Sequence, residues 1–177
     1  RDWSVTGVQT CALPISLGHF ATGVTVVTTR DVRGEPIGVT ASSFNTVSLD
    51  PPLVLWSIGR NALSYPVFSE AEHFAIHVLG DEQEAWSNRF GRASEAKFSG
   101  LDVGEGVGGV PLLSGCPARF ECRIEHRYEG GDHQILVGRV LRMELGAEDA
   151  RPLLFHRGRY AGLDSLDRKS TRLNSSH

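Results

Sequence analysis

The sequence predicts a mainly β domain: an antiparallel barrel of six or seven strands with few helices. Three observations carry this expectation. β-Branched runs of strand length recur, beginning with Gly23-Val-Thr-Val-Val-Thr-Thr29. Two long strand candidates, 118–128 and 133–144, are joined by Glu129-Gly-Gly-Asp132, a strong hairpin signal. The long crossover connections that a parallel sheet requires are missing, which favours a closed barrel.

The elements follow in order. Asp31-Val-Arg-Gly34 turns the first strand into a hairpin partner over 36–41. Pro51 and Pro52 end whatever precedes them and open a short apolar strand over 53–57. Residues 61–70 suit a helix capped by Asn61 and interrupted near Pro66. His73-Phe-Ala-Ile-His-Val-Leu79 alternates as a strand. Residues 81–90 carry acidic side chains in the first turn and Arg89 near the end, the order a helix dipole favours. Six glycines and a proline over 100–115 predict a loop or lid outside the core. Residues 152–160 supply a last strand ending in Arg-Gly-Arg-Tyr.

Composition narrows the function classes. A chain of 177 residues, 40% hydrophobic and 22% charged, holds one sizeable core rather than two. No run approaches the roughly 18 uninterrupted apolar residues of a membrane span, and no signal peptide is visible, so the expected compartment is the cytoplasm. A net charge of −3, without a basic stripe, gives no reason to expect nucleic acid. Cys116 and Cys122 lack Cys-x-x-Cys spacing and read as buried thiols in a reducing environment. His73 and His77 share a strand face without a third ligand nearby, so no metal is expected. The 104–109 glycine run has no strand before it or helix after it, and is no dinucleotide fingerprint.

The two ends read as foreign. Val5-Thr-Gly-Val-Gln-Thr-Cys-Ala-Leu-Pro-Ile15 back-translates to a DNA string whose reverse complement encodes Asp-Arg-Lys-Ser-Thr-Arg-Leu-Asn-Ser-Ser-His, which is Asp167 to His177 letter for letter. One oligonucleotide resembling a common sequencing adapter thus accounts for both ends. Residues 1–16 and 167–177 are therefore set apart as adapter-derived, not native, and expected to be disordered. The domain expected between them, 17–166, carries 14 basic and 19 acidic residues, a net charge of −5.

Residues 38–65 are the most informative stretch. Two polar clusters, Thr40-Ala-Ser-Ser43 and Ser57-Ile-Gly-Arg-Asn61, directly follow strand-like apolar runs. The Asp50-Pro51-Pro52 turn between them returns the chain on itself. Small hydroxyls and backbone N–H groups at strand ends suit a flat, hydrogen-bonding, phosphate-bearing ligand.

Leu17-Gly-His-Phe-Ala-Thr-Gly-Val-Thr-Val-Val-Thr-Thr29, the 38–65 block, Ser87-Asn-Arg-Phe90, Gly131-Asp-His133 and Phe155-His-Arg-Gly-Arg-Tyr160 occur in this order. Together they resemble the flavin reductase-like family, short-chain NAD(P)H:flavin oxidoreductases that serve two-component monooxygenases. The resemblance spans nearly all of 17–163. It implies a split β-barrel, a six-stranded Greek key with flanking helices, and a homodimer that supplies reduced FMN or FAD to a flavin-dependent monooxygenase.

The resemblance also implies site residues. Val39, Thr40, Ser42 and Ser43 would lie along the isoalloxazine and ribityl chain, followed by Ser57, Ile58 and Gly59. Leu63 and Ser64 would approach the flavin phosphate, with Arg89 as its cation. His133 and the run His156, Arg157, Gly158, Arg159 and Tyr160 would face NADH or NADPH. Relatives often carry lysine where Arg60 stands, and Tyr or Phe at His156. The cofactors carry the hydride chemistry, so no catalytic side chain is obligatory, and His133 is the candidate for shaping the nicotinamide pocket. The competing readings are a non-enzymatic flavin-binding split-barrel protein and a pyridoxamine-phosphate-oxidase-like flavoenzyme. The second needs a basic pocket for its substrate phosphate, for which Lys97 is the one lysine outside the tails.

Overall fold

The computed structural model describes residues 12–94 and 96–163. The chain runs through α1 (Ala12–Leu17), β1 (Thr22–Gly23), β2 (Thr25–Arg30), β3 (Pro36–Ala41), β4 (Asn45–Leu49), β5 (Pro52–Gly59), α2 (Tyr65–Glu70), β6 (His73–Val78), α3 (Glu84–Phe90), β7 (Val103–Glu105), β8 (Pro111–Leu113), β9 (Ala118–Gly130), β10 (His133–Leu145), β11 (Leu154–His156) and β12 (Arg159–Ala161). Seven strands form one antiparallel sheet in the order β3-β2-β6-β9-β10-β5-β4.

Strand period two explains how this sheet encloses a core. On β5, Val54, Trp56 and Ile58 point inward while Leu55, Ser57 and Gly59 face the other way. The inward residues meet Val27, Ala41, Phe68, Phe74, Ile76, Cys122 and Leu136, drawn from β2, β3, α2, β6, β9 and β10. Trp56 stands edge-on to Phe68 at 4.9 Å between ring centroids, the geometry the ring quadrupoles favour. Beyond β3, Ser43 crosses to β5: its hydroxyl donates to the Ser57 carbonyl at 3.1 Å and accepts the Ser57 N–H at 2.9 Å. The sheet has curled until its two sides nearly meet, a mainly β fold compatible with a split barrel.

Several local expectations need correction. The helix expected from Asn61 starts only at Tyr65, because turns over 59–65 precede it, and Pro66 sits in its first turn rather than interrupting it. Residues 81–90 divide into a 3₁₀ turn, Asp81–Gln83, and α3. Strand β4, Asn45–Leu49, was not expected; Thr46 and Val47 are its only β-branched residues. The last strand is instead a tight hairpin, β11–β12, turning at Arg157 (φ 50°) and Gly158 (φ 77°), the two positive φ values a type I′ turn demands.

The glycine-rich stretch 100–115 is no detached lid. It forms the β7–β8 hairpin, and Val110, Leu112 and Leu113 are buried. Thr28 donates to the Pro111 carbonyl at 2.6 Å, the Leu113 N–H donates to His77 Nε2 at 3.0 Å, and buried Glu121 accepts the Val107 N–H at 2.8 Å. His73 packs on Gly108, where any Cβ would collide with its ring. Disorder of the leading tail does not hold for residues 12–16, which lie in α1; the rest of both tails falls outside the described residues.

Candidate functional site

The expected site residues fall into three separate groups, one around β3 and the segment after α3, one on β5 and β10, and one on the β11–β12 hairpin. The first lines a cavity of about 590 Å³ between β3, the start of α2 and the segment after α3. Ile37, Val39, Val67 and Phe98 make its apolar wall, and Ser64, Arg92, Ser94 and Lys97 its polar part. Gly38 permits this arrangement: a Cβ there would stand 2.6 Å from Phe90 Cε1 and 3.1 Å from Phe98 Cζ, so a side chain would push α3 off β3. Lys97 Nζ donates to the carbonyls of Gly38 (3.0 Å) and Phe90 (2.9 Å), tying the two walls together. Partial burial lowers the Lys97 pKa from the usual lysine value.

Of the residues expected to hold flavin, Val39, Leu63 and Ser64 line this cavity. Arg89, the expected phosphate cation, does not; its guanidinium donates to the carbonyls of Ala96 (3.1 Å) and Ser99, buttressing the loop that carries Lys97. Sequence reasoning missed Arg92, Ser94 and Lys97 as cavity residues. The available signal was Lys97 itself, a lone lysine beside Phe98 just after the Ser-Asn-Arg-Phe block.

The second group lies on one face of the barrel sheet. Gly59 pairs with His133 across the β5–β10 ladder, and His133 Nε2 is 3.6 Å from where a Gly59 Cβ would stand. Ser57 lies on the same face, bound to Ser43. His133 Nδ1 meets Asp132 Oδ1 at 2.7 Å, and that hydrogen bond holds the exposed Asp132 carboxyl below its ordinary pKa. Ile58 turns its side chain into the core and offers this face only backbone. The Ser43 hydroxyl is occupied in both its donor and acceptor roles, whereas Ser42 is exposed and its hydroxyl has no hydrogen-bond partner among the described residues.

The third group is the β11–β12 hairpin. His156, Arg157, Arg159, Tyr160 and Ala161 line a depression of about 480 Å³. Tyr160 reaches back to α3: its hydroxyl is 2.8 Å from Ser87 Oγ and donates to Asn88 Oδ1 at 3.3 Å. The Thr40 hydroxyl donates to the Ser87 carbonyl at 2.7 Å, so α3 links the first and third groups. Gly158 serves the turn by its conformation.

The cavity's size falls within the ~300–1,000 Å³ typical of small-molecule sites, and an apolar wall with a cationic, hydroxyl-bearing end matches a planar ring system carrying a phosphate. Among the described residues no group of three or more His, Cys, Asp or Glu could hold a metal ion.

Comparison with known proteins gives a consistent result. The family model described as flavin reductase like domain matches residues 17–164. The chain is 50% identical over 145 residues to an FMN reductase (NADH), SmoA, of Agrobacterium fabrum, covering 82% of this chain and 81% of that one. It is 40% identical over 148 residues to HsaB, the reductase subunit of a flavin-dependent monooxygenase of Rhodococcus jostii, covering 84% and 75% respectively. The solved structure of a Streptomyces globisporus NADH:FAD oxidoreductase in complex with NAD and FAD fragments superposes with a TM-score of 0.82 at 38% identity, covering 88% of this chain and 93% of that one.

Proposed function

The chain belongs to the flavin reductase-like family, and on that premise we propose that it oxidises NADH and passes the hydride to FMN or FAD, delivering reduced flavin to a monooxygenase component. The observation that carries this reading is the cavity beside β3, apolar along Ile37, Val39 and Phe98 and cationic at Arg92 and Lys97.

When bound, nicotinamide supplies the hydride and flavin accepts it. The chain's own residues bind, orient and exclude water. Lys97 and Arg92, with Ser64 and Ser94, hold the flavin phosphate; this role moves from Arg89, which steadies Lys97's loop. Val39 and Leu63 flank the ligand's apolar part, and Ser42, Ser57 and Gly59 border the ring system through backbone and hydroxyl groups. Asp132 accepts the His133 Nδ1–H and leaves the imidazole lying over Gly59, where it shapes the nicotinamide pocket. His156, Arg157, Arg159 and Tyr160 hold the nicotinamide nucleotide.

The protein acts as a homodimer in the cytoplasm. Exposed Leu141, Met143 and Leu145 on β10, and Val47 and Leu49 on β4, support burial against a second copy. Cys116 and Cys122 are free thiols, in keeping with a reducing compartment, and no helix among the described residues is long and apolar enough to cross a membrane. Residues 17–166 form the native domain and both tails are adapter-derived.

The test follows NADH and NADPH absorbance under air with added FMN or FAD, in this chain and in one with native ends. Flavin-dependent oxidation of NADH is expected. Its absence with every pair refutes the reductase reading, and an unchanged NADH affinity and turnover in His133→Ala removes that residue from the site.

A further inference from the structure

The β11–β12 hairpin carries the exposed, cationic Arg157 and Arg159 at the margin of the domain; Tyr160 packs on the core around Val24, Leu79 and Phe90, and the Arg157 N–H donates to the Gly18 carbonyl at 2.9 Å. On the inner side β11 pairs with β1 through Thr22–Phe155 and Gly23–Leu154. Among the described residues the outer strand β12 pairs with β11 alone. Among the described residues, the hairpin's side-chain hydrogen bonds all pass through the Tyr160 hydroxyl, to Ser87 Oγ at 2.8 Å and Asn88 Oδ1 at 3.3 Å. Ser87 is 1% exposed, so it can act on a bound cofactor only through a neighbour. Its carbonyl accepts the Thr40 hydroxyl from β3 and the Gly91 N–H from its own helix. One buried residue therefore grips β3 with its backbone and β12 with its side chain.

We infer that Ser87 is a positioning residue for the nicotinamide nucleotide: its hydroxyl fixes Tyr160, and with it the arginine-bearing hairpin, at a set height beside the flavin-binding wall. This role rests on the reductase reading above. Two properties of the contact set its consequences. The Ser87–Thr40 link uses the Ser87 carbonyl, so truncating the side chain spares the flavin wall and loosens only the hairpin. A hairpin ordered in advance does not charge its ordering entropy to nucleotide binding, whereas a loosened one does, and the loss falls on KM rather than on kcat.

The experiment compares Ser87→Ala, Tyr160→Phe and the double variant in the flavin-loaded protein. Loss of a neutral hydrogen bond predicts a rise in KM for NADH of about fivefold in S87A, and about five- to tenfold in Y160F, which also loses Asn88. In S87A the kcat and the flavin Kd, read by fluorescence titration without NADH, stay within about twofold. The double variant is no worse than Y160F, because both substitutions remove the same bond. Hydrogen exchange quickens over residues 154–161 in S87A and stays unchanged over 36–41.

A KM unchanged while hairpin exchange quickens reduces Ser87 to a structural contact and overturns the inference. So does a flavin Kd that moves in step with KM, or additivity in the double variant. If S87A fails to fold, Ser87→Cys, which keeps the volume and weakens the hydrogen bond, decides by the same KM and Kd readings. A wild-type protein that binds flavin yet oxidises no NADH refutes the reductase reading itself, and this role falls with it; normal wild-type turnover with unmoved variants refutes the positioning role alone.

Discussion

Acidification should unlock the β7–β8 hairpin through one buried histidine. His77 on β6 is fully buried, with Nδ1 3.1 Å from the Val26 carbonyl and Nε2 accepting the Leu113 N–H at 3.0 Å. The carbonyl requires a proton on Nδ1 and the amide requires a bare Nε2, so the neutral tautomer is built into the fold. A second proton would set two N–H groups against each other. Burial, the largest influence, lowers the His77 pKa from 6.5 to about 4; the Val26 carbonyl opposes the shift and Arg119 adds to it.

The sign follows from linkage. Between pH 6.5 and 4 the unfolded chain holds this proton and the folded chain does not, so stability is complete above 6.5 and falls as pH drops through that window. The slope reaches at most about 1.4 kcal/mol per pH unit, and the whole shift is worth on the order of 3 kcal/mol. The lowered carboxyls of Asp31, Glu125 and Asp132 act below their own ordinary values of 3.8 to 4.5, so the interval from 6.5 to 5 belongs to histidine, and comparison with a His77 variant separates that residue from the others. Urea unfolding followed by tryptophan fluorescence at pH 7.5, 6.5, 5.5 and 5.0 should show a loss of about 2 kcal/mol in the wild type. His77→Gln should be less stable throughout and nearly flat over the same interval. Equal slopes in the two proteins would refute the reasoning.

Other consequences of the geometry can be tested alongside. Lys97→Met removes a charged donor from the cavity and leaves the Gly38 and Phe90 carbonyls short of a partner. Flavin Kd by fluorescence titration should rise about tenfold or more, and Tm should fall. Ser43→Ala severs the Ser57 link across the barrel opening and should cost about 1–2 kcal/mol in urea unfolding, with flavin Kd changed less than in Lys97→Met. Gly138→Ala would bring a Cβ to 2.9 Å from Cys122 Cβ and into the Phe74 ring, so overpacking should lower stability by about 1–3 kcal/mol, read as a shift in the urea midpoint.

How much was legible beforehand varied with the range of the cause. The β2 run and the 36–41 strand were readable because β-branched residues prefer a pleated backbone wherever it lies. The Gly131-Asp132 turn was readable because Gly131 takes φ 73°, a demand met within two residues. The 100–115 stretch misled for the opposite reason. Its glycines suggest a loose loop, yet Thr28 binds Pro111 from 83 residues away and buried Glu121 binds Val107 from 14. Glycine there admits close approach by distant side chains, which no local window reveals. At the site, the 38–65 block and Tyr160 were visible as motifs, while the placement of Lys97 in the cavity and of Arg89 on the Ala96 and Ser99 carbonyls was not. A residue's charge can be read in sequence, but which carbonyls capture its guanidinium cannot.

By itself the sequence determined the strand-rich fold class, the family motifs in their order and the kind of ligand that small hydroxyls and cations suit, because these depend on residue type and short spacing. Tertiary structure alone decided that Ser43 and Thr40 hold the barrel and α3 together, that Lys97 lines the cavity, and that Ser87 joins β3 to the arginine hairpin. Those assignments follow from which polar groups are brought within about 3 Å of one another once the sheet has curled, and each buried donor or acceptor must then find its partner there.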